Sequence, residues 1–279
     1  MNAAPTRSED GFTDKEGHDQ LYAAKDLGEI PRGPDAYCRW YEQTRLHPVH
    51  LGGPERGRVR RLAVEALLAS HRPGRHYLEA GCGVGLLSLY LAARGVRITG
   101  VDISPVAVAR ARALAEHVGV QGADFIAENL AAMSADDDVY DGIIAHAALH
   151  HFVKYPGVPE ELSRVLRPDG QLWFSDGFAE NRVYRLFHDK DKMARLGDVL
   201  LTKELIERTF GPLFDVELMP ADWFLMLSKF QLRLARTGPL ERLARHQARV
   251  HLALDRRIPR NRATLALAGS VLVTMTPRS

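Results

Sequence analysis

The period of apolar positions changes several times along the chain, and each change marks an element. Val59 to Ser70 places Leu62, Ala63, Ala66 and Leu67 at helical spacing, which predicts an amphipathic helix ended by Pro73-Gly74. From His76 onward short apolar runs alternate with helical stretches. The pattern predicts strand 76–80, helix 86–94, strand 97–101, helix 105–118 and strand 123–127. After the acidic loop Ser134–Asp138 it predicts strand 141–145, helix 159–166, a turn at Arg167-Pro168-Asp169-Gly170 and strand 171–175. Strands alternating with helices imply βαβ units and a parallel sheet with right-handed crossovers. Ligands of such sheets sit beyond the carboxyl ends of the strands, near a topological switch point.

The flanks are less regular. Residues 1–20 are polar and aperiodic and read as a mobile tail. Residues 21–74 read as an N-terminal helical cap carrying Tyr22, Tyr37, Trp40 and Tyr41, with Asp35 as the expected cap of a short helix. These aromatics either roof a ligand pocket or pack on the core, and the sequence leaves both open. Past Asp176, a charged stretch at 182–201 suggests a lid, Thr202 caps a helix to Phe210, and 214–219 is a strand. Residues 225–257 read as two helices divided at Gly238-Pro239, and 263–275 as a final strand or strand pair. The chain from 75 to 279 thus forms the main domain, with 182–201 and 228–260 as insertions beside an acceptor pocket.

Composition narrows the class without naming a function. Apolar content of 46% and charged content of 26% over 279 residues suit a globular chain with a sizeable core. A net charge of +2 is too mild to argue for nucleic acid. Cys38 and Cys82 make no disulfide framework, the N-terminal residues show no apolar run, and no stretch approaches a membrane span. A cytoplasmic protein is therefore expected, as monomer or homodimer.

The stretch H-Y-L-E-A-G-C-G-V-G at 76–85 carries the chemistry: strand, glycine turn, helix. Gly81, Gly83 and Gly85 allow a nucleotide-like ligand to approach the backbone closely. Glu79 at the strand end would repel the pyrophosphate of a dinucleotide at this turn. S-adenosylmethionine has no phosphate and carries an ammonium and a sulfonium, so the carboxylate favours it. Asp102 follows the next strand seventeen positions after Gly85, where a carboxylate can accept both ribose hydroxyls, or else cap the helix near Ser104-Pro105. Ile103 beside it suits the adenine face.

L-E-A-G-C-G-V-G, I-T-G-V-D-I-S, Y-D-G-I-I-A-H-A-A-L-H-H and L-S-R-V-L-R-P-D-G-Q-L resemble, in order and spacing, the motifs of class I S-adenosylmethionine-dependent methyltransferases. The resemblance spans about residues 60 to 180. It implies a doubly wound α/β fold with a mainly parallel seven-stranded sheet, an N-terminal helical cap and helical insertions before the last strand. It implies S-adenosylmethionine as cofactor, with Glu79, Gly81, Gly83 and Gly85 as its loop, Asp102 on the ribose and Ile103 on the adenine. Asn129 falls where the family often has an aspartate bonding the adenine amino group, with Glu128 the choice if the register slips by one. Asp169 replaces a glycine of the family's turn.

Methyl transfer needs a positioned and sometimes deprotonated nucleophile, so candidates belong at the carboxyl ends of the fourth and fifth strands. His146 and Asp176 occupy those places and are the expected catalytic residues, His146 as base or acceptor contact. His150 and His151 read as a structural pair, with no third ligand in view and no metal expected. The run 240–258 shows an apolar stripe opposite Arg242, Arg245, Arg249, Arg256 and Arg257. That stripe either packs on its own domain or lies on an anionic membrane surface. With Phe224, Leu225, Met226 and Phe230 nearby, it suggests a bulky or lipophilic small-molecule acceptor, methylated at a hydroxyl oxygen. Methylation at nitrogen or carbon, a lipid or quinone acceptor at a membrane, and a non-catalytic protein retaining the pocket stay open as alternatives. Nothing points to nucleic acid as partner.

Overall fold

A computed structural model describes residues 14–46, 57–180, 199–223 and 262–278, with Val250, Leu254, Arg257 and Ile258 between. Seven strands form its centre: β1 (His76–Ala80), β2 (Arg97–Asp102), β3 (Ala123–Ala127), β4 (Tyr140–His146), β5 (Leu166–Gly177), β6 (Phe214–Ala221) and β7 (Ser270–Pro277). They make one sheet in the order β3-β2-β1-β4-β5-β7-β6. Every pairing among β1 to β5 is parallel, and β7 runs antiparallel to both β5 and β6. This is the doubly wound α/β sheet that the alternation predicts.

Parallel strands are buried on both faces, so the sheet needs a helical layer on each. On one face Tyr37, Tyr41, Val64, Leu67, Leu89 and Trp173 share a core; on the other Leu78, Ile143, Leu162, Phe174, Phe210 and Val273 do. The first layer holds α2 (Pro34–Thr44), α3 (Gly57–Ser70), α4 (Leu86–Ala93) and α5 (Pro105–Val118), with α1 (Asp14–Ala24) lying on α5. The second holds α6 (Leu149–Phe152), α7 (Val158–Val165) and α8 (Lys203–Phe210). Because α3 packs on β4, β5 and β7, part of the N-terminal cap is a layer of the main domain.

Several elements depart from the sequence pattern. Residues 14–20, expected in the tail, are helical in α1. Gly33 and not Asp35 sits at the N-cap of α2, because Pro34 at the first position starts the helix two residues earlier. Ladder pairing of β7 begins only at Ser270, because β5 stops at Gly177 and β6 at Ala221. Residues 263–267, expected in that strand, instead belong to a 3₁₀ helix, Arg262–Leu267, whose Thr264 carbonyl accepts the Trp223 indole N–H. The turn 167–170 is a bulge inside β5: Leu166 pairs with Tyr140, but Gln171 already pairs with Gly142. Asp169 is exposed there. Thr202 does cap α8, its hydroxyl accepting from Leu205 N–H at 3.2 Å. The lid at 182–198 and the aromatics at 224–230 lie outside the described residues, as does the stripe at 240–258 apart from the four residues named above.

Candidate functional site

The sheet order places β1 between β2 and β4, so the chain direction switches beside the carboxyl ends of β1 and β4. The glycine turn fills that point. A Cβ on Gly81 would lie 3.0 Å from Cβ of Ala148, so the turn rests directly on the segment after β4. Gly83, at φ 53°, has the Tyr22 hydroxyl 2.8 Å from where its Cβ would be. Gly85, at φ 75°, serves packing: its missing Cβ leaves room for the Phe125 ring and the Ala111 methyl.

Two carboxyl groups are buried beneath the turn. Glu79 Oε2 accepts the Ser88 N–H at 2.8 Å and the Ser88 hydroxyl, tying β1 to the first turn of α4. Burial pushes its carboxyl up to about 8, against the pull of the Ser88 hydrogen bonds and of Arg60. Asp102 accepts the Gly83 N–H at 2.8 Å on Oδ2 and the Ser104 N–H at 3.0 Å on Oδ1. Burial raises its pKa, and those amide bonds oppose the rise. Each Asp102 oxygen keeps a lone pair, so the group fits a ribose diol. The helix cap at the start of α5 is Ser104, whose hydroxyl accepts from Ala107. Ile103 is half-buried beside Asp102. Asn129 is exposed past β3, and its Oδ1 already accepts the Ala131 N–H at 3.0 Å; Glu128 instead accepts from Ser134.

The carboxyl ends of β4 and β5 bring together a different pair from the one sequence suggests. His146 Nδ1 bonds the Ser175 hydroxyl at 2.8 Å. The partner of Asp176 is His150, whose Nδ1 lies 2.8 Å from Oδ2. Asp176, 1% exposed, also accepts the His150 N–H at 3.2 Å and the Gly177 N–H at 2.6 Å. These donors solvate the carboxylate within the protein, and its contact with Nδ1 orients the His150 ring. The sequence hid this pairing, since His150 reads there as half of a structural pair with His151. Among the described residues no three His, Cys, Asp or Glu side chains are grouped to hold a metal ion.

The fourth side of the site is α1, which the polar, aperiodic tail concealed. Asp19 accepts the Ser104 hydroxyl, His18 meets the edge of His151 at 4.9 Å, and Tyr22 lies on Gly83. These three positions are i, i+1 and i+4, one helix face, and that spacing is the only signal the sequence offers. Of the four N-terminal aromatics, Tyr37 and Tyr41 are core residues: Tyr37 donates to the Leu86 carbonyl at 2.7 Å and Tyr41 stacks on Tyr90. Only Tyr22 reaches the glycine turn.

Comparisons with known proteins bear on the family and the fold. The methyltransferase domain family matches residues 78–174. A ubiquinone biosynthesis O-methyltransferase of Pseudomonas savastanoi pv. phaseolicola is 31% identical over 214 residues, 67% of this chain and 89% of that protein. The namesake from Hahella chejuensis is 31% identical over 153 residues, 54% of this chain and 61% of that protein, under two thirds of its length. Among solved structures, geranyl diphosphate C-methyltransferase of Streptomyces coelicolor, bound to S-adenosyl-L-homocysteine, covers 98% of this chain and 99% of its own at TM-score 0.57 and 14% identity. That last likeness is one of fold. Among the described residues no helix is long and apolar enough to cross a membrane.

Proposed function

Since the chain belongs to the S-adenosylmethionine-dependent methyltransferases, we propose that it methylates a hydroxyl oxygen of a bulky, lipophilic small molecule. The observation that carries this reading is the His150–Asp176 pair at the carboxyl ends of β4 and β5, across the switch point from the glycine turn. An alcohol or phenol is a poor nucleophile until it loses its proton, and a neutral imidazole held in one tautomer is suited to take it. An ionised Asp176 favours the His150 proton on Nδ1, which makes Nε2 the basic nitrogen, and it stabilises the imidazolium once the acceptor proton arrives. His146, anchored by Ser175, serves as an acceptor contact on the same edge. Asp102 and the Gly83 side of the turn orient the adenosyl end, with Glu79 behind them. When bound, the cofactor supplies an electrophilic methyl carbon. The names of the relatives, ubiquinone biosynthesis O-methyltransferases, support a ring hydroxyl on a lipophilic acceptor.

A second reading places that acceptor in a membrane surface. Val250 and Leu254, four positions apart in the sequence, are 44% and 41% exposed. Flotation with anionic liposomes separates the two: a protein drawing on a lipid surface rises with the vesicles, and one using free acceptor stays below.

The direct test offers methyl-labelled cofactor with lipophilic phenols, amines and alkenes, and locates the label in the product by mass spectrometry. Phenols are the expected acceptors; labelling of amines or alkenes alone would overturn oxygen as the target. His150→Ala should lower kcat by about 10²-fold or more while leaving S-adenosylhomocysteine affinity unchanged. Asp176→Asn should also change the pH–rate profile, because an asparagine no longer fixes the tautomer or stabilises the charged ring. A kcat unaffected by His150→Ala removes the base assignment.

A further inference from the structure

The methyl-transfer reading leaves one buried hydroxyl at the cofactor end without a task. Ser88 stands at the third position of α4, a helix that otherwise reads Leu86-Leu87 and Leu89-Tyr90-Leu91-Ala92-Ala93, and it is 0% exposed. Alanine would favour the helix more and would bury no polar group, so a hydroxyl at this place needs a partner. The partner is Glu79: the Ser88 N–H and the Ser88 hydroxyl both donate to Oε2 from nine positions further along the chain. Gly85, the N-cap of α4, makes no side-chain cap bond, so the Glu79 carboxyl also satisfies an N–H that the helix start leaves open.

Two donors on one oxygen make the carboxyl one-sided. Oε1 accepts no hydrogen bond among the described residues, and it is not sealed from solvent. Of the contacts that favour the ionised form, each of the two from Ser88 outweighs the Arg60 guanidinium of α3, while Asp102 at the end of β2 opposes it. Tyr22 of α1, Tyr37 and Tyr41 of α2 and Cys82 of the glycine turn also face Glu79, and burial keeps all four protonated and neutral. Ser88 is thus the main group that both orients the carboxylate and holds its charge.

We propose that Ser88 is a positioning residue of the cofactor site: by taking Oε2 it keeps Oε1 as the oxygen that receives the ammonium of the cofactor's amino-acid end. This rests on S-adenosylmethionine lying over the glycine turn. Without the hydroxyl the carboxylate keeps only the Ser88 N–H as an anchor, so its Oε1 is less well aimed and its proton harder to remove. The adenosyl end, held at Asp102 on the next strand, does not depend on Ser88.

Isothermal titration calorimetry on the full chain can compare S-adenosylhomocysteine, which carries the ammonium, with 5′-methylthioadenosine, which lacks the amino-acid end. Ser88→Ala should weaken S-adenosylhomocysteine roughly ten-fold, the scale of one lost hydrogen bond to a charged group, and leave methylthioadenosine unchanged. The ten-fold loss should hold below about pH 8 and shrink above it, where Glu79 ionises with less help from the hydroxyl. In Ser88→Thr, which keeps the hydroxyl, the ratio of the two affinities should stay near its native value. Equal losses for both ligands make Ser88 a packing residue and overturn the proposal. So does an unchanged affinity for S-adenosylhomocysteine in Ser88→Ala, or a ratio that falls as far in Ser88→Thr as in Ser88→Ala. A native chain that binds neither ligand takes the cofactor assignment down as well, whereas native binding without these effects removes the role of Ser88 alone.

Discussion

At the residue scale the most informative group is Glu79. Its position at the end of β1 suggests a carboxylate that turns away pyrophosphate and welcomes a cation. In the fold it is 4% exposed, clamped by Ser88, and its carboxyl is pushed up to about 8 by burial. Near neutral pH the group therefore holds a proton for much of the time when no cation is near. A bound sulfonium and ammonium would draw it into its ionised form. The folded chain binds the Glu79 proton more tightly than the unfolded chain does, whose glutamates titrate near their ordinary value. Between about pH 4.5 and 8 the folded state consequently carries the extra proton, and the contribution of this group to stability falls as pH rises through that window. Above it the loss is complete. Urea unfolding across pH 5 to 9 should show this decline for the native chain, on the order of a few kcal/mol, and a flatter profile for Glu79→Gln. Equal slopes would mean that Glu79 is ionised throughout.

At the scale of elements, the start of α5 and the glycine turn each do two things. Ser104 caps α5 through Ala107 and holds α1 through Asp19. Ser104→Ala should cost about 1 kcal/mol of stability, as lost caps do, and should also raise hydrogen exchange in residues 14–24. A lost cap without that loosening would show that the Asp19 bond contributes nothing to seating α1. In the turn, Gly85 is required by packing: an added methyl would meet the Phe125 ring at 2.6 Å from a left-handed backbone. Gly85→Ala should therefore destabilise by about 2–4 kcal/mol in urea titrations, combining the αL penalty with overpacking. A variant of native stability with impaired cofactor binding would instead mark Gly85 as a ligand position.

For the whole molecule, the sheet carries a core on each face, and the site lies on the edge that both cores support. A ligand bound there stabilises the folded chain by mass action, about 2.7 kcal/mol at a hundred times its Kd. For a chain of this size that raises Tm by roughly 5 °C. Differential scanning fluorimetry should show this rise with S-adenosylhomocysteine and none with NADH, whose pyrophosphate meets Asp102 and offers no cation to draw Glu79 into its ionised form. Asp102→Ala should abolish most of the rise, since a hydrogen bond to a charged group contributes about 1.5–3 kcal/mol. A comparable rise with NADH would refute the charge argument at the glycine turn.

Periodicity and local chemistry determined the elements of this chain and much of its cofactor end. Apolar runs of period two and near four, glycines at 81, 83 and 85, and Asp102 at a strand end depend on neighbours in sequence, so a linear reading finds them. The right-handed crossover then leaves few ways to order the central strands. Only the tertiary structure decided which distant groups meet. His150 and Asp176 lie 26 positions apart, and Asp19 and Ser104 lie 85 apart. No local pattern selects His150 over His146 as the partner of Asp176. Nor does one tell that Tyr37 and Tyr41 fill the core while Tyr22 covers the turn. The start of β7 was decided in the same way, by where β5 and β6 end. A contact of this kind exists only once the sheet has brought both strand ends to one edge, and its energy comes from burial and geometry created there.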